Sequence, residues 1–284
     1  MPELAWLISD LAEWLSQTDV SETPILDAQV LAANVLRVEK TWVMTHPQAE
    51  LDSCQLERWE QKSKRLLTGE PLPYVIGKWD FFGMKFQVTP DVLIPRPETE
   101  LLVEQALEWL QQRRISLDCR AVDVGTGTGC IAISLVKNFP RVHITASDIS
   151  LAALRLAKQN AIQHGVIDRT DFVQSDLFAA MKGPFDLICA NLPYIPDRDL
   201  LDLRVKDWEP HLALSGGADG LDLIRRFLIE TCPHLSPGGL VLFEIEASQG
   251  DSAQNLARFA FPNAEVRVLQ DLSRRDRLVM IRNE

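Results

Sequence analysis

The chain has 284 residues, 46% hydrophobic and 24% charged, with a net charge of −11. No apolar run approaches the ~20 residues of a membrane span, and the acidic balance argues against a broad electrostatic grip on a phosphate backbone. What remains is a globular chain, long enough for two unequal domains.

The five cysteines, Cys54, Cys119, Cys130, Cys189 and Cys232, are odd in number and lack any C-x-x-C pair, so reduced and mostly buried thiols are expected. The histidines show no zinc spacing, and no metal site is expected. Glu3 and Asp10 break the first apolar stretch, which therefore does not read as a signal peptide, and the cytoplasm is the expected compartment.

Residues 3–68 repeat apolar side chains at helical intervals. Leu4, Leu7, Ile8, Leu11 and Leu15 form one stripe. Ile25, Ala28, Leu31, Ala32 and Val35 form a second after Thr23-Pro24, an N-cap followed by proline at the first helical position. Leu51, Leu56, Trp59 and Leu66 form a third, opened by Asp52 or Ser53 and closed by Gly69. Residues 1–70 thus read as a helical bundle. It holds no catalytic constellation, and Trp6, Trp14, Trp42 and Trp59 read as packing residues, so a substrate-recognition or positioning role is expected.

The pattern then changes. Trp79 to Phe82 and Met84 to Val88, on either side of Gly83, read as a β-hairpin with Gly83 at the first position of a type II′ turn. Residues 71–95 are taken as a hairpin linker. Ile94-Pro95-Arg96-Pro97 stiffens the connection, Pro97 starts a helix, and Arg96 is either a surface arginine or a group near a ligand.

Residues 96–284 alternate strands and helices. Strands are expected at 121–124, 142–146, 171–174, 185–189 and 239–247, with helices at 128–138, 151–164, 221–235 and 249–259. Continuous apolar strands between helices predict an α/β fold with a mainly parallel sheet covered on both faces. Two further runs, 265–269 and 278–281, follow without a helix between them, which predicts an antiparallel last strand and about seven strands in all.

The chemistry-bearing residues fall at strand ends. Asp123-Val124-Gly125-Thr126-Gly127-Thr128-Gly129 follows the first strand and opens a helix, where glycines let a ligand approach the backbone. Asp148 ends the next strand, placed to accept hydrogen bonds from ribose hydroxyls. Asp176, followed by apolar Leu177, ends the third, near where an adenine amino group would lie. Asn191-Leu192-Pro193-Tyr194 follows the fourth, combining a side-chain amide, a donor-less proline and a flat aromatic face.

Together these residues resemble a class I S-adenosylmethionine-dependent methyltransferase of the N-methylating kind, whose fourth strand ends in [D/N/S]-x-P-[Y/F/W]. A narrower resemblance covers nearly the whole chain. Gly69-Glu70-Pro71-Leu72, the hairpin, Leu93 to Glu100, Asp207-Trp208-Glu209-Pro210 with Leu214, and the late Asp271 and Arg277 are similar to the PrmC/HemK family. That family comprises the protein-glutamine N5-methyltransferases of peptide chain release factors.

The resemblance implies a Rossmann-like seven-stranded methyltransferase sheet with a helical N-terminal domain joined by a hairpin. It implies S-adenosyl-L-methionine as cofactor, S-adenosyl-L-homocysteine as product and the glutamine of a Gly-Gly-Gln loop as substrate. Gly125, Thr126, Gly127, Thr128, Gly129, Asp148, Asp176, Leu177 and Asn191 are the implied cofactor residues. Asn191, Leu192, Pro193 and Tyr194 are the implied catalytic residues, and Arg96, Pro193 and Tyr194 the implied substrate-positioning ones. A monomer without stable nucleic-acid binding is expected.

One departure stands out: the family usually shows Asn-Pro-Pro-Tyr, and this chain has Leu192. The form Asn-Leu-Pro-Tyr also resembles ribosomal RNA adenine N6-dimethylases. An adenine N6-methyltransferase acting on RNA or DNA is therefore the alternative reading, with a non-catalytic binding module of the same fold as a further one. Nicotinamide redox chemistry is disfavoured by the G-x-G-x-G spacing.

Overall fold

The computed structural model describes residues 2–18, 20–112, 119–201 and 203–283. The chain divides into two compact units, Met1–Lys78 and Trp79–Glu284.

The first unit is helical: α1 (Leu4–Gln17), α2 (Pro24–Leu36), α3 (Lys40–Thr45), α4 (Ser53–Leu67) and α5 (Leu72–Ile76). Leu4, Leu7, Leu11 and Leu15 of α1 share one core with Ala28, Leu31, Ala32 and Val35 of α2 and Trp59 and Leu66 of α4. Pro24 is the first helical residue of α2. A capping box opens α4: the Gln55 backbone N–H donates to Asp52 Oδ1 at 2.8 Å, and the Asp52 N–H donates to Gln55 Oε1 at 2.9 Å.

Three features of this unit differ from expectation. Trp6 and Trp14 are 58% and 53% exposed, because they sit on α1 off the Leu4, Leu7, Leu11, Leu15 stripe. Helix α3 has 6 residues and α5 has 5, too few for an apolar period to declare itself. Helix α5 occupies sequence taken as part of the hairpin linker; prolines flank its start, and Gly77, at φ 75°, ends it.

The hairpin pairs β1 (Lys78–Phe81) with β2 (Met84–Gln87). Its turn residues Phe82 and Gly83 have φ of 49° and 70°. Two positive φ values make this a type I′ turn with glycine second, not the type II′ turn that Gly83 alone suggested. Phe82 tolerates the left-handed position with its N–H donating to Glu100 Oε1 at 2.7 Å. Phe81 and Phe86 point into the core of the second unit.

A single 3-10 turn over Pro97–Thr99 leads into α6 (Glu100–Gln112). There follow β3 (Cys119–Val124), α7 (Cys130–Asn138), β4 (Val142–Asp148), α8 (Leu151–Gln163), β5 (Thr170–Gln174) and β6 (Phe185–Ala190). After the short α9 (Asp197–Leu200) come α10 (Asp222–Thr231), β7 (Leu235–Glu244), α11 (Gly250–Ala260), β8 (Glu265–Gln270) and β9 (Asp276–Arg282). The seven-stranded sheet runs β5-β4-β3-β6-β7-β9-β8. Its first five strands are parallel, and β9 inserts antiparallel between β7 and β8.

Residues alternate between the two faces of the sheet. Ala121, Ile144, Leu187, Leu240 and Met280 join α6 and α7 in one core. Val122, Val124, Ile188, Val241, Phe243 and Ile281 join α10 and α11 in the other. Burial on both faces explains why the strands read as continuous apolar runs.

The chain winds outward from β3 through β4 to β5, then returns to place β6 on the other side of β3. This reversal opens a crevice at the carboxyl ends of β3 and β6, the position where open α/β sheets hold ligands. The register pairs Asp123 with Cys189 and Val124 with Ala190, so the glycine loop and Asn191 emerge side by side.

Candidate functional site

A cleft of about 430 Å³ lies at these strand ends, lined among others by Gly125 to Thr128, Asp148, Asp176, Leu177, Asn191 to Pro193 and Arg96. Every lining residue belongs to the second unit. Of the implied cofactor, catalytic and substrate-positioning residues, Gly129 and Tyr194 are not part of the lining.

Gly125 and Gly127 adopt φ of 76° and 54°, which favour glycine. A Cβ on Gly127 would meet nothing within 4 Å, so the loop is open there, whereas one on Gly129 would crowd Ala157 and Ile133. Gly129 therefore serves the packing of α7 on α8. Behind the loop, the fully buried Asp123 accepts the Thr126 hydroxyl at 2.6 Å and the Ala132 N–H at 3.2 Å on Oδ2. Its Oδ1 is buried without a hydrogen-bond partner among the described residues. Burial pushes the Asp123 carboxyl up to about 7, against the pull of those two bonds.

Asp148 holds the loop from the other side. Its Oδ2 accepts the Gly127 N–H at 2.9 Å and its Oδ1 the Ser150 N–H at 2.8 Å. Burial raises its pKa while these backbone bonds lower it. Asp176 is exposed and pairs with Arg226 on α10 at 3.0 Å. Leu177 beside it is buried with φ of 47°, an uncommon conformation for a side chain of its size.

Asn191 is gripped by two residues that the sequence reading did not single out as site residues. Its Nδ2 donates to Thr99 Oγ1 and to Glu244 Oε2, both at 3.0 Å. The Thr99 hydroxyl donates to Glu244 Oε2 at 2.6 Å, and the Tyr194 hydroxyl donates to Glu244 Oε1 at 3.1 Å. Burial raises Glu244, offset by the Thr99 and Tyr194 bonds and by the Arg277 charge. Burial and the Glu244 charge raise Tyr194, which stays a phenol. Tyr194 thus turns its hydroxyl to Glu244.

The loop backbone is fixed as well. Gln249 Nε2 donates to the Tyr194 carbonyl at 2.9 Å, and Ile195 bridges to the strand-like Leu214–Gly216 segment. A Cβ on Gly216 would lie 2.8 Å from Tyr194 Cα, so glycine is required for this approach. Leu192 is buried, and its Cδ2 lies 3.1 Å from where a Gly125 Cβ would be. Its side chain joins the core beneath the glycine loop.

Arg96 lines the cleft, its guanidinium 2.5 Å from Glu209 Oε2. Glu209 is buried, and its other oxygen accepts the Ile94 N–H at 3.4 Å. Burial raises the Glu209 carboxyl, and Arg96 pulls it back. This pair ties the Pro-Arg-Pro stretch to the Trp-Glu-Pro stretch.

Glu244, Thr99, Gln249 and Arg226 are the residues that sequence reasoning missed. A signal existed for Glu244: it is the one charge in the apolar run Leu240 to Ile245. Thr99 carried none beyond its place after Arg96. Three of the five cysteines, Cys119, Cys130 and Cys189, are buried, while Cys54 and Cys232 are exposed. Among the described residues no helix is long and apolar enough to cross a membrane.

Two family models match the chain, a PrmC N-terminal domain over residues 7–77 and a methyltransferase small domain over residues 98–205. A release factor glutamine methyltransferase of Cereibacter sphaeroides is 40% identical over 258 residues, covering 90% of this chain and 90% of that protein. One of Chlorobaculum tepidum is 35% identical over 291 aligned residues, covering 98% of each. In fold, a crystal structure of a methyltransferase from Pyrococcus furiosus matches with a TM-score of 0.50 at 14% identity, over 81% of this chain and 98% of that one.

Proposed function

Since the chain belongs to the release factor glutamine methyltransferase family, we propose that its cleft methylates the side-chain N5 of the glutamine in the Gly-Gly-Gln loop of peptide chain release factors. The observation that carries this reading is the meeting, in one cleft, of a glycine loop backed by Asp148 with the paired acceptors of Asn191 and Leu192.

The residues fit S-adenosylmethionine. Gly127 leaves open space that any Cβ would fill, Leu177 offers an apolar neighbour, and Asp148 and Asp176 supply acceptors and negative charge opposite a cationic, hydroxyl-bearing ligand. Gly125, Thr126, Gly127, Thr128, Asp148, Asp176 and Leu177 would hold it, with Gly129 acting through the packing of α7. When bound, it supplies a methyl group activated by a sulfonium.

The protein's part is orientation. A carboxamide nitrogen is a poor nucleophile because its lone pair is delocalised into the carbonyl. Asn191 Oδ1 and the Leu192 carbonyl accept no hydrogen bond from the described residues, and both are free to accept the two substrate N–H bonds. Those bonds aim the nitrogen and favour positive charge as it develops there; one proton then leaves to water. No base is required before attack. Tyr194 and Pro193 shape the loop behind this amide, and Arg96 positions the substrate at the mouth.

Leu192 in place of proline keeps the carbonyl that this arrangement uses, and its side chain fills the core under Gly125. The departure is thereby a matter of packing. Residues 1–70 serve recognition of the release factor, residues 71–95 connect, and residues 96–284 form the catalytic domain. The enzyme acts as a cytoplasmic monomer without stable nucleic-acid binding. Incubation with methyl-labelled S-adenosylmethionine and purified release factors should yield one added methyl, located on the Gly-Gly-Gln glutamine by mass spectrometry. Label appearing only in RNA would replace this reading by adenine N6-methylation.

A further inference from the structure

The Asn191 amide could face the cleft with either end, and the two ends have opposite chemistry. Its surroundings choose one. Glu244 already accepts the Thr99 hydroxyl on Oε2 and the Tyr194 hydroxyl on Oε1, and the end of Asn191 that faces Oε2 at 3.0 Å is the donor end, Nδ2. The second Nδ2 hydrogen goes to Thr99 Oγ1, which has given its own proton to Glu244 Oε2. Both donors of the amide are then used inside the protein, and Oδ1 is the end left for the cleft.

Glu244 is suited to this task. It is 2% exposed at the end of β7, and it receives the Thr99 hydroxyl, the Asn191 amide and the Tyr194 hydroxyl. Three donors converge on the two oxygens of one carboxyl group, so none of them has reason to turn away.

Resting on the reading of the cleft as an amide-methylating site, we propose that Glu244 and Thr99 are positioning residues that hold Asn191 as an acceptor only. By that means the site selects a carboxamide and rejects the isosteric carboxylate. A glutamine side chain offers two N–H donors to Asn191 Oδ1 and the Leu192 carbonyl. A glutamate of the same shape offers two acceptor oxygens to two acceptor oxygens, which leaves every group unpaired and is strongly disfavoured.

The test uses the full-length enzyme and two purified release factors, one natural and one with glutamate replacing the Gly-Gly-Gln glutamine. Binding of each, kcat and KM for the natural one, cofactor affinity and thermal stability are measured for wild type, Thr99→Val, Thr99→Ser and Glu244→Gln. Thr99→Val should lower kcat about tenfold, the size of one lost hydrogen bond, with cofactor affinity nearly unchanged and the melting temperature lowered by only a few degrees. Thr99→Ser should restore kcat, because it returns the hydroxyl.

In Glu244→Gln the new side-chain amide can donate to Asn191 Oδ1, which lets Asn191 turn its Nδ2 to the cleft. The preference for the glutamine-bearing over the glutamate-bearing factor should then fall about tenfold or more. A wild-type preference and wild-type kcat in both Thr99→Val and Glu244→Gln would overturn the proposal. If Glu244→Gln fails to fold, the Thr99→Val and Thr99→Ser pair decides alone. A wild-type enzyme that methylates no release factor defeats the underlying reading, and the proposal with it.

Discussion

On one wall of the cleft, Gly127 and Asp148 are held by bonds between neighbouring strand ends; on the facing wall, Asn191 is held by Thr99 and Glu244, far away in the chain. The first wall is mostly backbone. The Gly125 and Thr126 N–H groups donate to the Ser147 carbonyl, and Asp148 in turn accepts the Gly127 N–H. The second wall is mostly side chain, and it depends on residues from α10's approach loop, β7 and the turn after it, through Gly216, Glu244 and Gln249. A backbone wall suits a ligand that is the same in every turnover. A side-chain wall can be tuned to the group that is methylated, without disturbing the first.

The division means that the two walls can be damaged separately. Asn191→Ala should cut turnover by about 10²- to 10³-fold, the scale seen when one preorganised polar contact to a reacting centre is removed. Cofactor affinity should barely move, since the glycine loop and Asp148 do not lean on the Asn191 side chain. Single-turnover rates beside calorimetric titration of the cofactor would check both parts; near-normal turnover would break the assignment of this wall.

Asp148→Asn is the complementary damage. One oxygen and the charge are lost, so either the Gly127 or the Ser150 N–H loses its acceptor. Hydrogen bonds to a charged group are worth roughly 1.5–3 kcal/mol, and cofactor affinity should fall about 10- to 100-fold. At saturating cofactor, kcat should stay within about threefold of wild type, because the methyl acceptor is held by the other wall. A loss of kcat with unchanged cofactor affinity would show the walls to be coupled.

The same division explains what could be read in the sequence. The strand-end residues of the first wall sit in short contiguous motifs, each beside its own apolar strand, so Gly125, Asp148 and Asp176 were legible together with the sheet that carries them. Asn191 was legible as a residue, but what holds it was not. Thr99 and Glu244 reach it from 92 and 53 residues away, and no local period marks such a contact. Tyr194 shows the same limit: its aromatic face was visible in the motif, but the hydroxyl's partner on β7, which turns the ring to Glu244, was not. The type I′ turn was misread for a related reason. Gly83 was obvious, but the positive φ of Phe82 is set by the hairpin twist and the Glu100 carboxylate rather than by phenylalanine itself.

The smallest expected effect concerns the acid behind the glycine loop. Asp123 has a folded-state pKa of about 7 against an ordinary value of 3.8. Between those two values the folded protein keeps a proton that the unfolded chain has released. Stability from this group is therefore fully present below about pH 4 and is lost as pH rises through about 7. Asp148, Glu209 and Glu244 are raised by burial as well and slope the same way. Asp219, held down to about 2 by Arg225, runs opposite but is exposed and contributes little. Asp123→Asn carries no charge to bury, and its amide oxygen can keep the Thr126 and Ala132 bonds. Its melting temperature relative to wild type should thus rise between pH 5 and pH 8, by about 2–4 °C for each kcal/mol recovered. Cofactor affinity should change less than about threefold, since the loop is held in place mainly by its backbone. A difference in melting temperature that is flat with pH would mean that Asp123 is ionised throughout.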